Sequence, residues 1–500
     1  MAHGSDIVAA VRVKKMLSAM TTAAMATAVY FPFLQSLCDP QRWYLTLSPK
    51  PSPGAVAIAE PNLNTEPEKQ PRQGPEMEWE PLSDAQEVSQ DALDLTADQL
   101  NAADRQRALI AMCVLIGISQ LGFGGIVPVL PLYAGSFGVS AFAIGLTIAV
   151  FGLARFVFTI PTGQLADKLG RRKTLAIGGL VSAVGNGWCA LAGSYTEFVF
   201  ARFLAGGGSA IVLTAGAIVL ADISRRQNRG RTMALYQATF IFAVGVGPLP
   251  GGLLAEWYGL SAPFATYGVM SILAGFVAWF LVPETQALQS GIGSSGVTTL
   301  LPPLRDQFKL LTQHTGFLLV GLVNLVNAFV RTGAVFNVVP VLAAVKLGLS
   351  PGQIGGALAI GSVLGLVASY PGGYLADRFG RKTIIVPSLV GKAAAMVLFA
   401  IATDLMTFTF ASILWGIMVS LAGSAPAAYA ADIAPKGMNA AAMSGYRLLG
   451  ESGYIIGPVI LGLIVDWSGP EVVLWICAVL ILVVCAVFAK WAKETHRAPG

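Results

Sequence analysis

An all-α membrane protein of twelve transmembrane helices, arranged as two like-oriented six-helix bundles, is the architecture this sequence predicts. Three observations lead there. Of the 500 residues, 55% are hydrophobic and 12% charged, about half the charged share of an ordinary soluble domain, so lipid must be the solvent for much of the surface. Between positions 109 and 491 the chain reads as twelve apolar stretches of ~20 residues, each long enough to cross a ~30 Å hydrocarbon core. The second half of those stretches repeats the first at a fixed separation.

Taken in order, residues 1–59 are nearly free of acid and carry Arg12, Lys14, Lys15, Arg42 and Lys50 around an uncharged run, Met16 to Cys38. Basic, hydroxyl-bearing, acid-poor sequence of this kind predicts a targeting segment, as for a chloroplast or mitochondrial membrane. An extra span over Met16–Cys38 is the alternative, with the plasma or vacuolar membrane as destination. Residues 60–105 turn acidic and rich in Pro and Gln, cannot bury a core, and predict a disordered tether. The spans are expected at 109–132, 141–163, 173–193, 198–220, 232–254 and 262–282, then 315–338, 352–374, 384–402, 406–429, 440–464 and 471–491. This makes an N-terminal bundle of 106–282, a central loop of 283–314 rich in Gly, Ser and Pro, and a C-terminal bundle with a short basic tail over 315–500.

Charge placement supports that layout. Loops on one side hold Lys168, Arg171, Arg172 and Lys173, then Arg225, Arg226, Arg229 and Arg231, then Arg378, Arg381, Lys382, Lys436, Lys490 and Lys493, whereas the opposite loops hold only Lys346. Such bias is what the positive-inside rule requires, and it places both ends of the membrane region on the basic side. The net charge of +5 is therefore topological and implies no nucleic-acid partner. The five cysteines and three histidines lack metal-ligand spacing, so neither a metal nor another cofactor is expected.

The repeat runs at a lag of 210. Gly163-x-Leu165-Ala166-Asp167 falls on Gly373-x-Leu375-Ala376-Asp377, and Gly170-Arg171 on Gly380-Arg381. Ala221-Asp222-Ile223 falls on Ala431-Asp432-Ile433, and Gly247-Pro248 on Gly457-Pro458. Two homologous halves, each with an even number of spans, must insert the same way up, which predicts a substrate site between them near the midplane.

Gly163-Gln-Leu-Ala-Asp167-Lys-Leu-Gly170-Arg171-Arg172-Lys173 resembles the loop 2–3 signature of the major facilitator superfamily, and its echo over 373–382 resembles the loop 8–9 copy. Here Gly would let two helices approach closely. Asp167 would pair with Arg171 or Arg172 and with Asp222, and Asp377 with Arg381 and Asp432. The resemblance implies the major facilitator fold over residues ~106–495. It also implies that these clusters are latches closing the basic-side gate; static topology anchors are the alternative.

Arg202-Phe-Leu-Ala-Gly206 resembles the span-four motif that the family associates with proton coupling, although Arg202 is close enough to its helix start to snorkel. Gly245-x-Gly247-Pro248-x-x-Gly251-Gly252 resembles the span-five motif of drug:proton antiporters, with Ala243 where that pattern has Gly. The resemblance thus points to the multidrug efflux group and to export. Pro248, and Pro458 in the second copy, would bend their helices, while the glycines, Gly457 included, would allow close packing across the halves.

Ionisable residues inside spans are functional candidates by default. Arg447 and Glu451 share a helix face at i, i+4 spacing, and by family analogy Arg155 in span two reaches Glu451 across the seam. Glu451 is the one carboxylate placed deep in a span and is the candidate for binding and releasing a proton; a static ion pair is the alternative. Arg331, in the outer half of span seven with Asn324 and Asn327 one and two turns before it, is the candidate contact for an anionic or carbonyl-bearing ligand. Gln120 and Gln237 are further cavity candidates. Lys392, in a peripheral span, is expected to snorkel. No acid stands in span one, where amine-exporting relatives place one, which argues against a cationic drug.

The sequence thus predicts a secondary transporter moving a small organic solute by alternating access, exporting it in exchange for protons and working as a monomer in the bilayer. A facilitator or symporter is the alternative. An enzyme is disfavoured because no nucleophile–base pair, paired carboxylates or phosphate loop lies in or beside the spans.

Overall fold

The computed structural model describes residues 102–224, 229–285, 311, 313–434 and 438–495. The expected targeting segment, nearly all of the tether and most of the central loop lie outside these. Among the described residues, twelve helices are long and apolar enough to cross a membrane. The first six are α1 (Asp104–Ile126), α2 (Ala141–Leu169), α3 (Arg171–Leu191), α4 (Tyr195–Ile223), α5 (Arg231–Tyr258) and α6 (Ala262–Leu281). The second six are α7 (Thr315–Val345), α8 (Pro351–Phe379), α9 (Arg381–Ile401), α10 (Leu405–Asp432), α11 (Ala441–Ser468) and α12 (Pro470–Trp491).

Every expected span is present, and several run one or two turns longer than hydropathy indicates. Apolar character stops at the membrane edge, but a helix continues until something ends it. For α2 and α8 that is Gly170 (φ 93°) and Gly380 (φ 99°), which turn the chain through left-handed backbone. The motif residues between Gly163 and Leu169 are therefore helical. Span seven extends to Val345, which puts Arg331 at mid-span and not in the outer half. There the α-helix gives way to a π-helical stretch, Arg331–Val338, a departure found mostly at functional sites.

Within each half, small residues bring backbones together. A Cβ on Gly208 of α4 would stand 2.2 Å from Ser182 N of α3, and one on Gly416 of α10 2.0 Å from Gly361 O of α8. The N-terminal core closes around Phe198, Phe264 and Tyr133, whose rings meet at 5.2–5.5 Å.

The halves join along two related seams, α2 with α11 and α5 with α8. Gly145 faces Pro458 O and Gly355 faces Pro248 O, each leaving 2.0 Å for a Cβ. At the outer end each seam is closed by a carboxylate on the first turn of a helix from the other half. Asp466 accepts from Ala141 N (2.8 Å) and Phe142 N (2.9 Å). Glu256 accepts from Ser350 Oγ (2.8 Å) and Gly352 N (3.1 Å). Towards the basic side the seams separate, and Gly163 and Gly373 have nothing within 4 Å of a Cβ. The close approach expected of these two glycines is not made.

Candidate functional site

An ion pair crosses the α2–α11 seam. Arg155 Nη2 lies 3.3 Å from Glu451 Oε1, and the guanidinium stands 5.6 Å from the Tyr454 ring centroid, one turn further along α11. Glu451 Oε2 is shielded from solvent and accepts no hydrogen bond. The expected cross-seam pair is present. Arg447 makes no ion pair with Glu451 and is exposed; the i, i+4 spacing brings both onto one face, but Arg155 reaches the carboxylate from the opposite helix.

Arg331 is exposed to solvent although it stands mid-span, and it lies in electrostatic range of Glu451, Arg155, Tyr446 and Tyr454. It therefore faces the cavity and not lipid. The π-helical stretch meets α11 at Thr332, whose hydroxyl is shared between Ala328 O of its own helix (2.9 Å) and Tyr454 O (3.2 Å). That carbonyl is four residues before Pro458, which has no N–H to offer it.

Lys392 does not snorkel. It is 4% exposed, and its ammonium donates to Asn327 Oδ1 on α7 at 3.1 Å. Span nine is peripheral as a helix, but this residue points inward towards Arg331. Asn327 is thus a partner for Lys392, and Asn324 donates to Tyr446 O at 2.7 Å, joining α7 to α11. Gln237 is exposed, whereas Gln120 is 3% exposed, packed inside the N-terminal half and away from the open cavity.

Arg202 does not snorkel either. It is 1% exposed, its guanidinium lies 4.2 Å from the Phe151 ring centroid, and its Nε and Nη1 atoms have no hydrogen-bond acceptor. With Phe123, Ile148, Phe336 and Tyr454 it lines a small chamber.

At the basic ends of the helices, Arg171 bridges Asp167 (3.0 Å) and Asp222 (3.3 Å). Arg381 pairs with Asp377 and lies 3.6 Å from Asp432. The Arg172 side chain is not part of the first cluster; it lies over Trp279, 5.3 Å from the ring centroid. Each cluster lies within one half. Both include a Glu–Thr pair that sequence reasoning missed. Glu284 accepts from Arg171 N at 2.8 Å and Thr285 donates to Asp222 at 2.7 Å. Glu494 and Thr495 repeat this on Arg381 N at 2.9 Å and on Asp432 at 3.2 Å. Their separation of 210 was the available signal.

The span-five motif packs partly as expected. Gly252 meets the other half, with Pro351 O 2.2 Å from a Cβ, but Gly251 meets Gly125 O of its own half at 1.9 Å, and Gly247 packs on α1. Gly457 likewise packs on Phe329 of α7 within the second half. The proline does break α5, whose two segments meet at Gly247–Pro248.

Two related helical bundles around a charged, solvent-reached cavity at mid-membrane define a class, the membrane transporters built from a parallel repeat. Residues 112–325 and 320–500 each match the family model of the Major Facilitator Superfamily. The chain belongs to that superfamily and is a transporter, not an enzyme. It is 25% identical over 353 residues to an uncharacterised MFS-type transporter of Methanocaldococcus jannaschii, covering 70% of this chain and 89% of the relative. It is 23% identical to multidrug resistance protein 2 of Bacillus subtilis (73% of this chain, 90% of the relative). It is 26% identical to the quinolone resistance protein NorA of Staphylococcus aureus (69% and 87%). Among solved structures it shares its fold with the nucleoside transporter NupG, at TM-score 0.64, 14% identity and coverage of 76% and 98%. A bacterial homologue of the human lysosomal transporter Spinster matches at TM-score 0.63 and 16% identity, with coverage of 78% and 97%.

Proposed function

We propose that this transporter exports a small organic solute by alternating access, driven by proton exchange at Glu451. The observation that carries the reading is the Arg155–Glu451 pair across the α2–α11 seam, with one carboxylate oxygen engaged and the other shielded and without a donor. Arg155 and a proton compete for the same carboxylate. Parting α2 from α11 removes the arginine from the carboxylate; rejoining them restores the pair. Arg202, like Arg155, lies in electrostatic range of Tyr454 and adds positive potential near the pair. Export is supported by the span-five motif and by the drug-resistance names of two relatives.

The two Asp–Arg–Asp clusters act in this reading as braces. Each holds the basic ends of its own half rigid, so that the halves rock as bodies about the outer seams. Arg331 contacts the solute from the mid-span π-helical stretch, and Asn324 and Asn327 hold the helices beside it. A ligand drives such rocking only through unequal affinity for the two facings.

The test is flux in proteoliposomes under an imposed pH gradient. Wild-type transport follows the gradient, and Glu451→Gln transports only down the solute's own gradient. Wild-type flux that ignores the pH gradient and matches Glu451→Gln would instead identify a facilitator.

A further inference from the structure

Among the described residues, six ionisable side chains stand more than a turn inside the spans, and five are cations: Arg155, Arg202, Arg331, Lys392 and Arg447 against Glu451 alone. The single carboxylate is taken by Arg155. None of the other four makes an ion pair. Lys392 is buried on a neutral amide oxygen, Arg202 is buried on a phenyl ring, and Arg331 faces the open cavity. Four of the five are arginines, which stay protonated in a protein, so their positive charge is permanent. Uncompensated charge away from bulk water is costly and is normally paired.

The excess does not belong to the scaffold. At the lag of 210 that relates the halves, the positions matching Arg155, Arg202, Arg331, Lys392 and Arg447 are Gly365, Ser412, Leu121, Ser182 and Gln237. All are neutral. Seam glycines, helix caps and basic-side clusters repeat, whereas the central cations do not, so folding two bundles does not require them. Tyr446 and Tyr454 lie in electrostatic range of Arg331.

We propose that the transported solute is an organic anion, an apolar body bearing a carboxylate or sulfonate that Arg331 receives in the open cavity, with Arg155 and Lys392 beside it. The solute supplies the counter-charge that the spans lack. A permanently cationic solute would meet repulsion from the same groups. This rests on the reading of the cavity as a transport site, but it does not depend on Glu451 carrying the proton.

The test is equilibrium binding by the purified full chain in detergent, with no gradient present. The probes are matched sets of an aromatic sulfonate, the neutral sulfonamide and the quaternary ammonium on the same ring system. Sulfonates bind tightest. Arg331→Gln weakens sulfonate binding at least about tenfold, as expected for a charge-assisted bond, while leaving the sulfonamide within about twofold, and Arg331→Lys restores most of the loss. Ammonium members that bind as well as their sulfonates overturn the proposal, as does sulfonate binding unaltered by Arg331→Gln. Loss of pH coupling in Glu451→Gln is read separately in proteoliposomes, so failure of one reading leaves the other standing.

Discussion

Glu256 and Asp466 occupy the same position in the two halves, 210 residues apart, and each caps the first turn of a helix that belongs to the other half. A carboxylate on the exposed N–H groups of a helix N-terminus satisfies donors that have no partner within the helix and meets the positive end of its dipole. Both caps exist only while the outer side is closed.

Removing them is expected to favour the opposite facing. Each cap contributes about 1 kcal/mol, so Glu256→Ala with Asp466→Ala shifts the balance towards outer opening by roughly thirtyfold. The measurement is labelling of a cysteine placed at Phe336 by a membrane-impermeant maleimide applied from the outer side. The native cysteines of the spans are buried, and Cys38 is replaced beforehand. An unchanged labelling rate would count against the seal.

The seam glycines and the motif glycines are expected to behave oppositely. Gly355→Ala drives a Cβ to 2.0 Å from the Pro248 carbonyl, and neither backbone can yield without parting the seam. Overpacking of this kind costs about 1–3 kcal/mol, and transport should fall at least about tenfold. Gly373→Ala meets open space and should leave the melting temperature in detergent unchanged. Gly373→Leu should fold equally well yet slow turnover, because the space it fills is needed when the basic side closes.

The two basic-side clusters should differ in their response. Asp222 is 2% exposed, and Asp222→Asn takes the buried one of the two carboxylates from Arg171 and leaves only Asp167, a loss of about 1.5–3 kcal/mol for hydrogen bonds to a charged group that should lower folded yield. The Asp432 side chain is 40% exposed, and Asp432→Asn should cost no more than about 1 kcal/mol. Parallel melts in one detergent check the contrast; equal losses would contradict it.

Arg202 should show a trade between stability and function. Its charge is buried without an ionic partner, and replacing such a group by an apolar one of similar volume is often neutral or stabilising. Arg202→Met is expected to melt at or above the wild-type temperature while gradient-driven flux is lost. A destabilised but active variant would show that the guanidinium serves packing alone.

The parts of the fold legible in the sequence were those written periodically. Hydropathy located all twelve spans, and the lag of 210 between Asp167 and Asp377 established two like-facing halves. The Arg155–Glu451 pair is implied by the family resemblance, in which spans two and eleven meet, together with the similar depths of Arg155 and Arg447 and the i, i+4 spacing of Arg447 and Glu451. The direction of a side chain was not legible. Lys392 and Arg202 both read as able to snorkel, since depth along a helix can be counted but its rotation about its own axis is set by neighbouring helices. Glu284 and Glu494 were passed over because one acid just beyond a span carries no pattern until the helix N-terminus beside it is in place.

By itself the sequence determined that lipid surrounds residues 109–491, that this region holds twelve spans in two like-oriented halves, and that its centre holds more positive charge than negative. Those properties follow from composition and order along one dimension. Only the tertiary structure decided which side of the cavity stands open, that Arg171 and not Arg172 bridges Asp167 to Asp222, and that Arg331 meets solvent while Lys392 and Arg202 are enclosed. Each of these depends on how one helix is turned against another, and that angle results from packing between segments hundreds of residues apart.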